Sequence, residues 1–134
     1  YEDLKKKISE FEVVVIACPS TNESREFFNY DLFKKMKKNS ILINVSRGNV
    51  LKTDDLLKND IFKKFKGIGL DVTSPEPLKK DHVLLKQHNI ILTNHSAGLS
   101  DNNRKRSRDL VETNIKRFLN DESLLNLVNK QKGY

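Results

Sequence analysis

Four short apolar runs punctuate this chain: VVVIA at 13–17, ILINV at 41–45, GIGLDV at 67–72 and IILT at 90–93. The first of them is wholly apolar and rich in β-branched residues. That pattern belongs to a parallel strand buried on both faces, since a half-exposed strand would alternate with polar residues. Helical patterns separate the runs. Lys5–Phe11 reads as the end of a helix. Asn29 suits an N-cap, with Asp31 in the first turn and Leu32, Phe33 and Met36 on the buried side. Thr53 is placed to cap a further helix, with Asp54 and Asp55 in its first turn and Leu56, Leu57, Ile61 and Phe65 at helical spacing. A last helix starts at Ser100 or Asp101, with a buried stripe of Leu110, Val111, Ile115, Phe118 and Leu119.

Strands alternating with helices imply a parallel sheet with right-handed crossovers. The expected class is α/β, with about four parallel strands and flanking helices. No G-x-G-x-x-G occurs, and four strands leave an apolar edge unpaired. The expected architecture is therefore the second half of a Rossmann-like doubly wound sheet, its first half lying upstream. Residues 1–119 form that half-domain and 120–134 a C-terminal tail. Between the second run and the next helix, SRGN is a turn in which Gly48 is free to take positive φ. SPEP after the third run is a stiff extended segment, because each proline biases its predecessor away from helix. A short helix around His82–Lys86 precedes the fourth run.

Composition narrows the partners. The net charge is +7, carried largely by scattered lysine pairs such as Lys34 and Lys35 or Lys63 and Lys64, which suit solvated helix faces. The basic run RKRSR at 104–108 wraps around a helix instead of forming a stripe, so nucleic acid is not an expected partner. Apolar runs are too short to span a membrane, and the charged start YEDLKKK does not suit a secretory signal. The single cysteine, Cys18, fits a reducing compartment, which points to the cytoplasm. No metal site is expected.

Function is concentrated where strands end. Arg47 follows the second run, Glu76 the third and His95 the fourth. In open parallel sheets, ligands bind outside the carboxyl ends of the strands. Arginine offers a planar fork that grips a carboxylate. Histidine exchanges protons near neutrality, and a carboxylate beside it fixes its tautomer and favours its charged form.

The blocks VVVIACPSTNESREFFN, LFKKMKKNSILINVSRGNVL, GIGLDVTSPEPL and ILTNHSAG resemble, in order and spacing, the nicotinamide-proximal half of the D-isomer-specific 2-hydroxyacid dehydrogenases. The resemblance runs from about Phe11 to about Asn129. Within that family, IACPST and GLDVTSPEPL are most similar to the glyoxylate reductase/hydroxypyruvate reductase group. The resemblance implies an oxidoreductase that reduces an α-keto acid to the D-2-hydroxy acid with NADPH or NADH. Phosphoglycerate or another D-2-hydroxy acid is an alternative substrate, and a nicotinamide-sensing corepressor-like protein is an alternative of another class. It further implies that Arg47, Glu76 and His95 are catalytic and that Arg47 and His95 hold the substrate. Cys18, Pro19, Thr21, Val45, Ser46, Arg47, Asp71, His95, Ala97 and Gly98 would contact the cofactor, with Asp71 facing the carboxamide. A homodimer is expected for the full-length protein. The isolated chain is expected to be inactive, because it lacks the glycine-rich loop. Many family members carry proline before the histidine, where this chain has Asn94.

Overall fold

The computed structural model describes residues 1–133. The chain divides into two compact units, Tyr1–Ala97 and Gly98–Tyr134. The first holds a four-stranded, all-parallel sheet in the order β1-β2-β3-β4. Its strands are β1 (Val13–Ile16), β2 (Ile41–Asn44), β3 (Gly67–Leu70) and β4 (Ile90–Leu92). Sequential order without a reversal is what repeated right-handed crossovers produce. The register pairs Asn44 with Leu70, and Leu70 with Leu92, so the carboxyl ends of β2, β3 and β4 lie side by side.

Helix α1 (Glu2–Lys7) runs into a 3₁₀ turn at Ile8–Glu10 before β1. Helix α2 (Tyr30–Lys35) begins as expected: the Asn29 side chain accepts a hydrogen bond from the Leu32 N–H at 3.3 Å. Leu32, Phe33 and Met36 are all buried, and Phe33 meets Phe65 edge to face. They pack, with Ile8, Leu56, Phe62 and Leu84, against the sheet face formed by Val14, Ile16, Leu42, Ile68, Leu70 and Ile90.

Several expectations are corrected. The strands are not covered on both faces. Val13, Val15 and Ile91 are 52%, 55% and 70% exposed, because they project from the face opposite the core. An apolar run is equally compatible with one covered face or two. The helix expected after Thr53 is instead two 3₁₀ segments, Thr53–Leu56 and Lys58–Lys64, the second kinked by left-handed Asn59 and Asp60 within it. Thr53 occupies no N-cap, since its hydroxyl oxygen is taken by the Ser74 N–H at 3.1 Å. Leu56 and Phe65 are nevertheless buried.

The second unit contains helix α3 (Asn103–Leu119), which starts slightly later than expected. None of its residues is buried; Val111, Ile115, Phe118 and Leu119 are all exposed. A unit of this size cannot bury the apolar face of a helix by itself. Among the described residues, no helix is long and apolar enough to cross a membrane.

Phe33 is fully buried at the contact of α2 with the sheet layer. Phe33→Ala should lower unfolding free energy by about 3–5 kcal/mol, read by urea denaturation. A loss of less than about 1 kcal/mol would mean that α2 does not hold the core as described.

Candidate active site

The site is built on turns that leave the carboxyl ends of β2, β3 and β4. After β2 the chain folds back through Val45, Ser46 and Arg47. Asn44, the last residue of β2, is fully buried, and its side-chain oxygen accepts from the Ser46 N–H at 3.1 Å and the Ser46 hydroxyl at 3.0 Å. Its amide donates to the Arg47 carbonyl at 3.1 Å. A buried amide left unpaired would cost about 1–3 kcal/mol, so these bonds define the turn. Arg47 is exposed, and its guanidinium donates to the Ser46 carbonyl at 2.8 Å. It makes no hydrogen bond to Glu76 or His95, so the structure does not join all three predicted catalytic side chains directly.

Gly48 follows Arg47 with an ordinary negative φ, so the expected positive φ is not found. Its role is steric. A Cβ there would lie 1.8 Å from the Thr73 carbonyl oxygen. The Arg47 turn and the loop after β3 therefore touch through bare backbone. The Ser74 N–H bond to the Thr53 hydroxyl oxygen joins the same two segments.

Glu76 and His95 do come together. The His95 Nδ1 lies 2.7 Å from the Glu76 Oε1, and both side chains are part-exposed. Nδ1 is thereby committed to the carboxylate, and Nε2 is left to face a reactant. The pair lines a cavity of about 350 Å³ with Asp71, Thr73, Pro77, Leu78, Leu85, Leu92, Thr93 and Asn94.

His95 has φ 50°, a left-handed backbone that few non-glycine residues adopt, histidine among the more tolerant of them. The turn is gathered around Asp71, just past β3 and buried. Its carboxylate accepts from the Thr93 hydroxyl, from the Ser96 N–H at 2.9 Å and from the Ala97 N–H at 2.9 Å. These donors, led by the Thr93 hydroxyl, hold the carboxyl below its usual pKa. A second cavity, of about 310 Å³, is lined by Ile43, Val45, Gly69, Leu70, Asp71, Ile91, Thr93, Ser96 and Ala97. Its apolar floor and the remaining acceptor capacity of Asp71 suit a flat heteroaromatic ring bearing an amide.

The other residues singled out in the sequence fall elsewhere in the first unit or beyond it. Cys18, Pro19 and Thr21 lie in the loop after β1. There the Ser24 hydroxyl donates to the Pro19 carbonyl at 2.8 Å and the Thr21 N–H donates to the Ser24 oxygen at 2.7 Å. Cys18 is a free thiol packed partly against the core. Gly98 opens the second unit. Asn44 and Thr93 were missed as site-organising residues. The signal for Asn44 was a lone amide ending an otherwise apolar strand.

Parallel strands, with a hydrogen-bonded imidazole and carboxylate and an adjoining apolar cavity at their carboxyl ends, are the place where open α/β sheets bind ligands. The sequence profile described as D-isomer specific 2-hydroxyacid dehydrogenase, NAD binding domain, matches residues 1–97. A hydroxypyruvate reductase of Blautia hydrogenotrophica is 35% identical over 130 residues, 97% of this chain and 40% of that protein. A glyoxylate reductase of Korarchaeum cryptofilum is 34% identical over 131 residues, 98% of this chain and 40% of that protein. A D-isomer specific 2-hydroxyacid dehydrogenase of Xanthobacter autotrophicus Py2, solved with NADPH and MES, superposes with a TM-score of 0.89 at 28% identity. That match covers 99% of this chain and 54% of the other. An NADPH-dependent glyoxylate/hydroxypyruvate reductase of Sinorhizobium meliloti, solved with NADP and sulfate, gives 0.86 at 29% identity, covering 99% and 43%. The chain belongs to the D-isomer specific 2-hydroxyacid dehydrogenase family. It spans about two-fifths of the length of the curated relatives it matches.

Two outcomes follow from this geometry. Gly48→Ala should destabilise the protein by about 1–3 kcal/mol, because backbone must move to admit the methyl group. An unchanged urea midpoint would show that the two loops do not touch as described. Second, the depressed Asp71 pKa stabilises the fold above the ordinary aspartate range, and that contribution disappears as pH falls through the lowered value. Asp71→Asn should therefore lose less thermal stability than the parent as pH falls below the ordinary aspartate range. Parallel acid profiles would contradict it.

Proposed function

We propose that the complete protein reduces an α-keto acid, glyoxylate or hydroxypyruvate, to the D-2-hydroxy acid with NADPH or NADH. The observation that carries this reading is the His95–Glu76 pair, joined at 2.7 Å on turns at the carboxyl end of the sheet. The naming of relatives as glyoxylate and hydroxypyruvate reductases supports the substrate class. NADPH and NADP in the solved neighbours support the cofactor. Residues 1–119 are read as half of a dinucleotide-binding domain and 120–134 as its tail.

The reduced nicotinamide supplies the hydride. His95 donates a proton from Nε2 to the ketone oxygen, while Glu76 accepts the Nδ1–H and keeps the ring in that orientation. Arg47 holds the substrate carboxylate through paired N–H donors, for which its guanidinium exchanges the bond to Ser46. Asp71, Ala97 and Gly98 would hold the carboxamide, and Val45 and Ser46 the ribose. Cys18, Pro19 and Thr21 would border the adenosine portion.

The single cysteine supports a cytoplasmic location, and the family resemblance supports a homodimer. Nucleic acid is not a proposed partner. Basic residues such as Lys34, Lys63 and Lys105 lie in local ion pairs with carboxylates on the surface.

His95→Ala in the complete protein should lower kcat/KM for hydroxypyruvate by about 10²–10⁴-fold. Arg47→Lys should cost about 1.5–3 kcal/mol of transition-state binding, roughly ten- to hundredfold in kcat/KM. Steady-state cofactor oxidation measures both. Unchanged turnover in His95→Ala, or no turnover of any 2-keto acid by the parent, would overturn the reading.

A further inference from the structure

We propose that Asp71 is the positioning residue for His95: its carboxylate and carbonyl together clamp the turn that presents the imidazole to Glu76 and to substrate. This rests on the reading of His95 as the proton donor.

The residues around His95 converge on Asp71. The Thr93 hydroxyl, two positions before the histidine, donates to Oδ1. The Ser96 N–H donates to the same oxygen at 2.9 Å, and the Ala97 N–H to Oδ2 at 2.9 Å. His95 closes the set from its own backbone, its N–H donating to the Asp71 carbonyl at 3.0 Å. The turn is thus held on both sides of the histidine by one residue at the end of the neighbouring strand.

The turn needs such a clamp. His95 has φ 50°, a conformation disfavoured for a residue with a Cβ. Successive N–H groups at 96 and 97 point at one carboxylate, an arrangement that binds anions and disperses if the charge is removed. The ring itself touches Glu76, not Asp71, so Asp71 acts on the imidazole only through the backbone that carries it. The donors that keep the Asp71 carboxyl ionised keep the clamp charged through neutral pH.

This is a different role from contact with a carboxamide. A carboxylate offers about four lone-pair sites. Oδ1 already accepts two hydrogens and Oδ2 one, so one place on Oδ2 stays open while the clamp is formed. Asparagine at 71 would present an NH₂ where an N–H of the turn now donates, opposing donor to donor.

The test uses the complete, cofactor-free protein labelled with ¹⁵N-histidine. Which ring nitrogen carries the proton in neutral histidine is set by its hydrogen bond. Long-range ¹H–¹⁵N spectra should show His95 as the Nδ1–H tautomer in the parent. Asp71→Asn should move it toward the Nε2–H form and lower kcat by about 100-fold, as expected of a misplaced acid. Thr93→Val should shift the tautomer in the same direction and Thr93→Ser should restore it, which keeps the test available if Asp71→Asn fails to fold. A merely structural role would lower the denaturation midpoint without changing the tautomer of the folded protein. An unchanged tautomer with a raised cofactor KM would overturn the proposal and leave Asp71 as a cofactor ligand. Full turnover in His95→Ala would sink the proton-donor reading instead, while the tautomer shift would still report the clamp.

Discussion

Two polar side chains that end apolar strands, Asn44 on β2 and Asp71 just past β3, hold the functional edge of the sheet. Both are buried, and both turn back to satisfy backbone groups of the residues that follow a strand. They are also neighbours in the ladder, since the Asp71 N–H donates to the Asn44 carbonyl at 3.0 Å. Chain leaving a parallel sheet cannot continue the ladder, yet its N–H and C=O groups still need partners. Here the partners are side chains, so the turn geometry is fixed by hydrogen bonds instead of by packing.

The same logic joins the Arg47 turn to the loop bearing Glu76. Gly48 lets two backbones meet, and the Thr53 hydroxyl takes the Ser74 N–H across the seam. Within the loop, the Thr73 hydroxyl donates to the Pro75 carbonyl at 2.8 Å, one residue before Glu76. Each proposed catalytic residue thus sits within a few positions of a side chain devoted to backbone. Precision in catalysis depends on such supports, because small displacements of reacting groups are costly.

Much of this was legible in the sequence because local signals agreed with the tertiary outcome. Asn29 caps α2, and Leu32, Phe33 and Met36 face the core, as their spacing requires. The strands and their parallel order followed from apolar runs alternating with helical patterns. The position of Glu76 and His95 past adjacent strands brought them within hydrogen-bond reach. What could not be read was what lies against each surface. Val13 and Ile91 have the composition of doubly covered strand residues and are exposed, and the apolar face of α3 is likewise open. The 3₁₀ path from Thr53 to Lys64 was hidden for another reason. Asn59 and Asp60 tolerate left-handed backbone without announcing it, and the apolar spacing survives the break.

The two cavities at the sheet edge share a wall. Asp71 and Thr93 line both, while His95 and Glu76 line one and Gly69 and Ile91 the other. Reduction of a ketone delivers hydride to carbon and a proton to oxygen, so the two donors must approach from different directions. On the proposed reading, the residues of the second cavity would hold the nicotinamide, while His95 stands in the first. One buried carboxylate is common to both. Both cavities rest on a single strand end, and neither is lined by the flexible side chain of Arg47, the proposed holder of the substrate.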